Sequence, residues 1–97
     1  MSVTLIVKIR VKEGKMDEAI SLLKVMVPKI KESEPGCLEY VPYTIKGPEN
    51  ENLIVFYEKY ADKEAFDLHN KNLKTNMAEF NKILEPDVEI NVCSEIL

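Results

Sequence analysis

The stretch Leu53-Ile-Val-Phe-Tyr-Glu-Lys-Tyr-Ala-Asp-Lys-Glu-Ala-Phe-Asp-Leu-His69 decides how the rest of this 97-residue chain is arranged. Its first eight residues are mostly aliphatic and aromatic, which is the composition of a buried strand. Asp62 follows as a helix N-cap, and helix formers come after it. Phe66 and His69 share one face of that helix, so the only histidine of the chain lies close to a strand that carries Glu58. The stretch therefore predicts a strand, a helix and a small site where the two meet.

Two segments with alternating apolar residues predict further strands near the ends of the chain. Every second residue of Val3–Val11 is aliphatic, which is the two-residue period of a half-buried strand. The same period returns at Val88, Ile90 and Val92, after Pro86. We therefore expect the first and the last strand at these positions.

The segment after the first strand predicts a long amphipathic helix and then a second strand. Apolar residues recur at helical spacing from Met16 to Ile30, and Glu34-Pro-Gly stops the helix. Cys37–Ile45 then has the composition of a strand. Since Pro42 cannot donate a backbone hydrogen bond, we expect this strand at an edge of the sheet or with a bulge.

The second helical region is predicted to be broken in two. Asn70-Lys-Asn72 is a polar interruption of the helix that starts at Asp62. Apolar residues then recur at helical spacing from Leu73 to Leu84, and Pro86 closes this third helix.

The resulting order, β-α-β-β-α-β, predicts an α+β fold of the ferredoxin-like split type as one domain over residues 1–97. In this fold an antiparallel sheet carries its helices on one face. The other face stays uncovered, and pairing with a second subunit would bury it. We therefore expect a homodimer joined sheet to sheet.

Composition narrows the class of protein. The formal net charge is -4, and basic residues are scattered among acidic ones, so nucleic acid is not expected as a partner. No apolar run approaches the roughly 20 residues that span a bilayer. The N-terminal segment has the pattern of a strand and not of a signal peptide. We expect a soluble, cytoplasmic protein without a membrane partner.

The two cysteines, Cys37 and Cys93, are expected to be reduced and partly buried. They form no CxxC pair, and with a single histidine they do not make a zinc-ligand pattern. A redox role is the alternative to simple packing, and the sequence leaves both open.

Three segments together resemble the antibiotic biosynthesis monooxygenase family. These are Glu34-Pro-Gly-Cys-Leu-Glu-Tyr40 after an amphipathic helix, Phe56-Tyr-Glu-Lys-Tyr60, and Asp62-Lys-Glu-Ala-Phe66 followed by His69. The resemblance covers essentially the whole chain. It implies a dimeric α+β barrel with a pocket between sheet and helices in each subunit. It also implies oxidation of phenolic or quinol-type substrates by O2, with no metal, flavin or haem cofactor.

The chain departs from the family pattern at a few positions. Many members carry a second histidine five residues after the first, where this chain has Lys74. Tyr60 replaces a tryptophan. A haem-degrading branch uses an Asn/Trp/His trio, and this chain has no tryptophan, so haem degradation is not expected.

We expect His69 to act as a general base on a substrate hydroxyl, because an imidazole can take a proton at neutral pH. Glu58 is a half-buried carboxylate that needs a partner, and we expect it to pair with His69 and orient the ring. The alternative for both is a purely structural pair. The expected substrate-binding residues are Tyr60, Phe56, Phe66, Tyr40 and Lys74.

Three functions remain open at this point. The first is a cofactor-independent monooxygenase that acts on a quinol-like or polyphenolic small molecule with O2. The second is a non-catalytic dimer that binds a small molecule. The third is an isomerase of the type that processes phosphorylated autoinducer-2, for which Lys71 and Lys74 would hold the phosphate.

Overall fold

The computed structural model describes residues 2–96, without the side chain of Asn76, so residues 1 and 97 of the predicted domain lie outside it. The elements occur in the order β-α-β-β-α-α-β, with one short 3-10 turn between the second and third strands. Their bounds are β1 Val3–Val11, α1 Met16–Ser33, β2 Cys37–Thr44, the 3-10 turn Pro48–Asn50, β3 Leu53–Tyr60, α2 Lys63–Asn76, α3 Ala78–Asn81 and β4 Leu84–Cys93.

The four strands form one antiparallel sheet in the order β2-β3-β1-β4, which confirms the predicted fold class. β2 is an edge strand, as the proline at position 42 predicted, and its ladder with β3 shifts register between Cys37 and Glu39. Asp62 caps α2 as predicted, with its carboxylate accepting a 2.8 Å hydrogen bond from the backbone N–H of Ala65.

The predicted break at residues 70–72 is wrong, because α2 runs without interruption to Asn76. The polar run is shorter than one turn, while the inward face continues through Phe66, His69, Leu73 and Met77 at helical spacing. The helical region breaks instead at Met77, which separates α2 from α3.

Pro86 lies inside β4 and does not close a helix, which corrects a second prediction. The ladder between β1 and β4 is irregular there: Val11 pairs with Leu84, and Ile9 pairs with Val88. Between these two pairs the chain advances by two residues in β1 but by four residues in β4. The two additional residues form a bulge in β4, and Pro86 lies within it. β4 is an edge strand, and a proline at a bulge of an edge strand does not remove a hydrogen bond from the ladder.

The helices cover only part of one sheet face. The core lies between them and the inward residues of β1 and β3, among which are Leu5, Val7 and Phe56. Register places Val88, Ile90 and Val92 on the same face as these residues, since they pair with Ile9, Val7 and Leu5. These three β4 side chains are nevertheless 48, 61 and 75 % exposed. The inner face of β4 is thus uncovered, in addition to the outer face of the sheet.

The turn from α1 into β2 packs closely against α2. A Cβ at Gly36 would lie 2.5 Å from Cβ of Ala65, and the carbonyl of Gly36 accepts a 2.8 Å hydrogen bond from the N–H of Ala61. Only a residue without a side chain fits this contact. The close approach brings the end of α1 next to the α2 turn that follows Ala65, and this turn carries His69.

Candidate active site

A cavity of about 220 Å³ lies between the inner face of the sheet and helices α2 and α3. Leu5, Val7, Tyr40 and Phe56 are among its sheet-side residues, and Phe66, Leu73 and Phe80 line its helical side. Val88 and Ile90 of β4 also line it, and because both are substantially exposed, the cavity is open along β4. Glu58 and His69 are the carboxyl and imidazole groups of this otherwise mostly apolar lining.

His69 is held by a carboxylate from the end of α1. Nδ1 of the ring lies 2.9 Å from Oε1 of Glu34, and each side chain is 2 to 3 % exposed. A carboxylate oxygen accepts only, so Nδ1 carries a proton and donates it. In the neutral imidazole Nε2 is then the nitrogen with a free lone pair. This arrangement leaves Nε2 as the atom that can accept a proton from a ligand.

The second oxygen of Glu34 is also engaged. Oε2 accepts a 3.4 Å hydrogen bond from the side-chain amide of Asn72, which lies one turn after His69 on α2. The backbone N–H of Glu34 caps α1 by donating to the carbonyl of Ile30 at 2.9 Å. The side chain and the backbone of Glu34 are therefore both held by hydrogen bonds, and these contacts together determine its orientation toward His69.

Glu58 faces the other nitrogen of the ring but is too distant for a hydrogen bond to it. Its Oε1 lies 3.9 Å from Nε2 of His69 and accepts a 2.7 Å hydrogen bond from the hydroxyl of Tyr60. Burial raises the pKa of the Glu58 carboxyl, while the hydrogen bond from Tyr60 and the proximity of His69 partly oppose that rise. Burial likewise raises the pKa of Tyr60, so its phenol remains a proton donor to Glu58 at neutral pH.

Two tyrosine rings pack against the imidazole of His69. The ring centroids of Tyr40 and Tyr60 each lie 5.1 Å from that of His69, and Phe66 lies 5.4 Å from Tyr60. The Tyr40 hydroxyl is engaged with Sδ of Met77 at 3.7 Å. Burial raises the pKa of Tyr40, so this phenol also stays protonated. The ring of His69 therefore has little freedom to turn.

The structure brings together most of the residues singled out from the sequence. His69, Glu58, Phe56, Phe66 and Tyr40 all line the cavity. Tyr60 is fully buried behind the lining, where it contacts His69 and Glu58. Lys74 is exposed and is not a lining residue. Tyr57 lies on the opposite face of the sheet, paired with Ile6 and Val41.

Glu34 and Asn72 are the site residues that sequence reasoning missed. A signal for Glu34 was present: it follows Ile30 by four residues and so continues the apolar stripe of α1. A carboxylate on a buried stripe requires a partner. The sequence contains no indication that this partner is a histidine 35 residues later.

The side chains of Glu34, Glu58 and His69 do not make a metal site. Among residues 2–96, no three His, Cys, Asp or Glu side chains converge on a point where an ion would bind. Glu34 and Glu58 lie against opposite nitrogens of the same ring. The two carboxylates are therefore directed at the imidazole and not at a shared ion.

A larger groove of about 450 Å³ lies between α1 and β2 and shares no lining residue with this cavity. Pro28, Pro42 and Tyr43 are among its lining residues, and Lys24 is the charged one. Among the described residues, the lining of this groove includes no histidine and no carboxylate. The smaller cavity, with His69 and Glu58, is therefore the candidate active site despite its size.

Taken together, these groups can remove a proton from a weakly acidic hydroxyl inside an apolar, aromatic cavity. The model of the family described as antibiotic biosynthesis monooxygenase matches residues 2–83, and the chain belongs to this family. The match ends just before β4. None of the curated proteins compared with the chain matches it.

Several solved structures share the fold. A protein of Caulobacter crescentus CB15 superposes with a TM-score of 0.83 at 20 % identity, covering 99 % of this chain and 91 % of its own. A conserved protein of Methanosarcina mazei Go1 gives a TM-score of 0.78 at 24 % identity, covering 96 % of this chain and 91 % of its own. A structure described as an antibiotic biosynthesis monooxygenase gives a TM-score of 0.79 at 21 % identity, covering 98 % of this chain and 99 % of its own. At these identities the likeness establishes the fold.

None of the helices within residues 2–96 is long and apolar enough to cross a membrane.

Proposed function

We propose that this protein is a monooxygenase that oxidises a quinol-like or polyphenolic small molecule with O2, using its own residues and no bound cofactor. The observation that carries the proposal is the orientation of His69 at the wall of an aromatic cavity. Nδ1 is engaged by a buried carboxylate, so Nε2 is left to accept a proton. Membership of the family supports the same reaction class.

His69 would act first, by taking the proton of a phenolic hydroxyl. The resulting phenolate is electron-rich and can transfer an electron to O2. In the overall reaction, the quinol and O2 give a hydroxylated quinone and water: one oxygen atom enters a ring C–H bond, and the other leaves as water. The substrate supplies all four electrons, so the reaction needs no external reductant.

The surroundings of His69 suit this chemistry. The Glu34 carboxylate lies 2.9 Å from Nδ1, so an opposite charge stands next to the imidazolium that forms when Nε2 takes the substrate proton. The apolar lining shields the electron-rich intermediate from water on the sheet and helix sides, while the cavity is open along β4. Glu58 is proposed to bind and orient the substrate hydroxyl groups at the same end of the cavity.

The isomerase alternative has less support. A phosphorylated sugar would need a cation in the cavity, and within the described residues the lining includes neither lysine nor arginine. Lys71 and Lys74 are both exposed on α2, outside the lining. No observation favours this reaction over oxidation of an aromatic molecule.

We also propose that the protein acts as a homodimer joined through the outer face of the sheet. Register places Ile6, Val41, Tyr43, Val55 and Tyr57 on that face. Ile6 and Tyr43 are 41 and 53 % exposed. An apolar surface of this kind is usually buried against a partner. Sedimentation over a wide range of protein concentrations tests the proposal, and a monomer at every concentration would contradict it.

The reaction is tested by O2 uptake of the purified, metal-stripped protein with a panel of reduced quinols, corrected for autoxidation. We expect saturable uptake that falls by about 10²- to 10⁴-fold in His69→Gln. Glutamine retains a donor for Glu34, so the variant is expected to fold. Leu68→Gln, an exposed neighbour on the same helix, serves as the matched control.

Uptake at the blank rate with every quinol would overturn the monooxygenase proposal. It would shift the assignment to the binding-only dimer, because the cavity would remain as a place for a small aromatic ligand. Equal O2 uptake by His69→Gln and the control would support the reaction but contradict the role of His69 as the base.

A further inference from the structure

The imidazole and the carboxyl group that line the cavity are placed side by side. Nε2 of His69 and Oε1 of Glu58 are 3.9 Å apart, and both residues line the cavity. Nδ1 is engaged by Glu34, which leaves Nε2 as the acceptor of the ring. A carboxyl group has several lone-pair positions, so Glu58 can accept a second hydrogen bond besides that from Tyr60. This end of the cavity therefore offers two neighbouring acceptors.

Resting on the proposed function, we infer that the substrate is a small aromatic ortho-diol, one hydroxyl of which donates to Nε2 of His69 while the adjacent hydroxyl donates to the Glu58 carboxylate. Hydroxyls on neighbouring ring carbons point in nearly the same direction and lie close together. They match two acceptors that are themselves close neighbours. The pair of contacts fixes which hydroxyl loses its proton to the imidazole.

A para-diol fits the same cavity poorly. Its second hydroxyl lies at the opposite end of the ring, so it cannot reach the Glu58 carboxylate when the first hydroxyl donates to Nε2 of His69. A para-diol therefore makes only one of the two hydrogen bonds that an ortho-diol makes to this pair of acceptors.

The size and walls of the cavity favour one small aromatic ring. Its volume, about 220 Å³, is below the roughly 300–1,000 Å³ typical of sites for drug-sized ligands. Tyr40, Phe56, Phe66 and Phe80 all contribute ring surface to the lining. A sugar diol of similar size would bring further hydroxyls into this apolar space and leave them unpaired.

The reaction balances for an ortho-diol. Nε2 of His69 takes the proton of one hydroxyl, and the catecholate passes electrons to O2. One oxygen atom replaces a ring hydrogen as a hydroxyl, and the other leaves as water, so that the product is a hydroxylated ortho-quinone. O2 is the only oxidant, and the diol is the only reductant.

Binding under nitrogen tests the inference without requiring turnover. The probes are catechol, hydroquinone, resorcinol and phenol, with cis-1,2-cyclohexanediol as a non-aromatic diol. Dissociation constants come from calorimetry, and shifts of the His69 imidazole NMR signals report where the probe binds. We expect catechol to bind about tenfold or more tightly than hydroquinone or phenol, and cyclohexanediol to bind more weakly than catechol.

Variants of Glu58 separate its contribution from that of His69. Glu58→Gln retains an uncharged acceptor and should reduce the advantage of catechol over phenol. Glu58→Leu removes the acceptor and should abolish that advantage. Glu39→Gln, an exposed glutamate on the neighbouring strand, is the matched control and should leave all four aromatic affinities unchanged.

Equal binding of catechol and hydroquinone, no binding of any diol, or an advantage of catechol that survives in Glu58→Leu would each overturn the inference. These outcomes are distinct from failure of the monooxygenase proposal. Ortho-selective binding without O2 uptake would support the ligand class and contradict the oxidation. O2 uptake with para-quinols, together with no preference for ortho-diols, would support the oxidation and contradict the ligand class.

Discussion

The carboxylate of Glu34 lies 2.9 Å from Nδ1 of His69, and both side chains are almost completely buried. This contact joins Glu34, the C-cap residue that follows α1, to the middle of α2. It determines which ring nitrogen carries the proton, and hence which one faces a ligand as an acceptor. The orientation of the proposed base thus depends on a residue that is not itself among the cavity lining.

Removing the Glu34 carboxylate should destabilise the fold. In Glu34→Ala the Nδ1–H of His69 loses its acceptor, and we expect the free energy of unfolding to fall by about 1.5–3 kcal/mol. Glu34→Gln should cost less, since its carbonyl can still accept. Urea unfolding at neutral pH measures both variants. Glu32→Ala, an exposed position on α1, is the control, and an equal stability of Glu34→Ala and this control would contradict the prediction.

Gly36 is expected to be required for space and not for backbone conformation. Gly36→Ala would place its new methyl group 2.5 Å from Cβ of Ala65, so the turn and α2 must move apart. We expect a loss of about 1–3 kcal/mol of unfolding free energy, the usual cost of overpacking.

The double variant Gly36→Ala/Ala65→Gly provides the control for this contact, because it restores the space at the same point. Thermal unfolding of the two single variants and the double variant gives the coupling between the positions. We expect the double variant to lose less stability than the sum of the single variants. Strictly additive losses would show that the contact is not the cause.

Glu58 should make the stability of the protein depend on pH. Burial raises its pKa above the ordinary value of 4.5, so the folded protein binds this proton more tightly than the unfolded chain does. The stabilising contribution is therefore complete below about pH 4.5 and is lost as the pH rises through the raised pKa of the folded state. Glu58→Gln has no such proton and should be more stable than the natural protein at neutral pH.

Urea unfolding of both proteins between pH 4 and pH 8 measures this effect. The difference in unfolding free energy between Glu58→Gln and the natural protein should grow as the pH rises from about 4.5 and then level off. Glu39→Gln should show a difference that does not change over the same range. A constant difference for Glu58→Gln as well would contradict the raised pKa.

The two cysteines should differ in reactivity. Cys37 is buried, and burial together with the nearby carboxylates of Glu34 and Glu58 raises its pKa from 9.0 to about 11. At pH 8 its thiolate fraction is then about a hundredfold smaller than that of an ordinary thiol. Cys93 is only partly buried. We expect iodoacetamide to modify Cys93 first in a mass-spectrometric time course.

The same time course in urea serves as the control for the cysteines, because unfolding removes the difference in burial. Both should then react at similar rates. Faster modification of Cys37 than of Cys93 in the folded protein would be incompatible with a buried, protonated thiol at position 37.

Local patterns in the sequence were sufficient for most of the fold. Alternating aliphatic residues predicted β1, and the aliphatic and aromatic composition of Leu53–Tyr60 predicted β3, both with the observed bounds; Asp62 predicted the start of α2. These features depend on neighbours along the chain: the two-residue period of a strand and the capping of free backbone N–H groups. The prediction of a break at residues 70–72 failed, because a polar run on the exposed side of a helix resembles a loop when only composition is considered.

The site was predictable only where its residues lie close in sequence. Phe56, Glu58, Phe66 and His69 all come from the stretch that joins β3 to α2, and strand and helix periodicity placed them on facing surfaces. The sequence by itself thus determined the sheet, the starts of α1 and α2 and one half of the cavity. The tertiary structure alone decided that Glu34 meets His69, because this contact depends on how closely the α1–β2 turn approaches α2. Such an approach results from packing between distant segments, and no spacing along the chain encodes it directly.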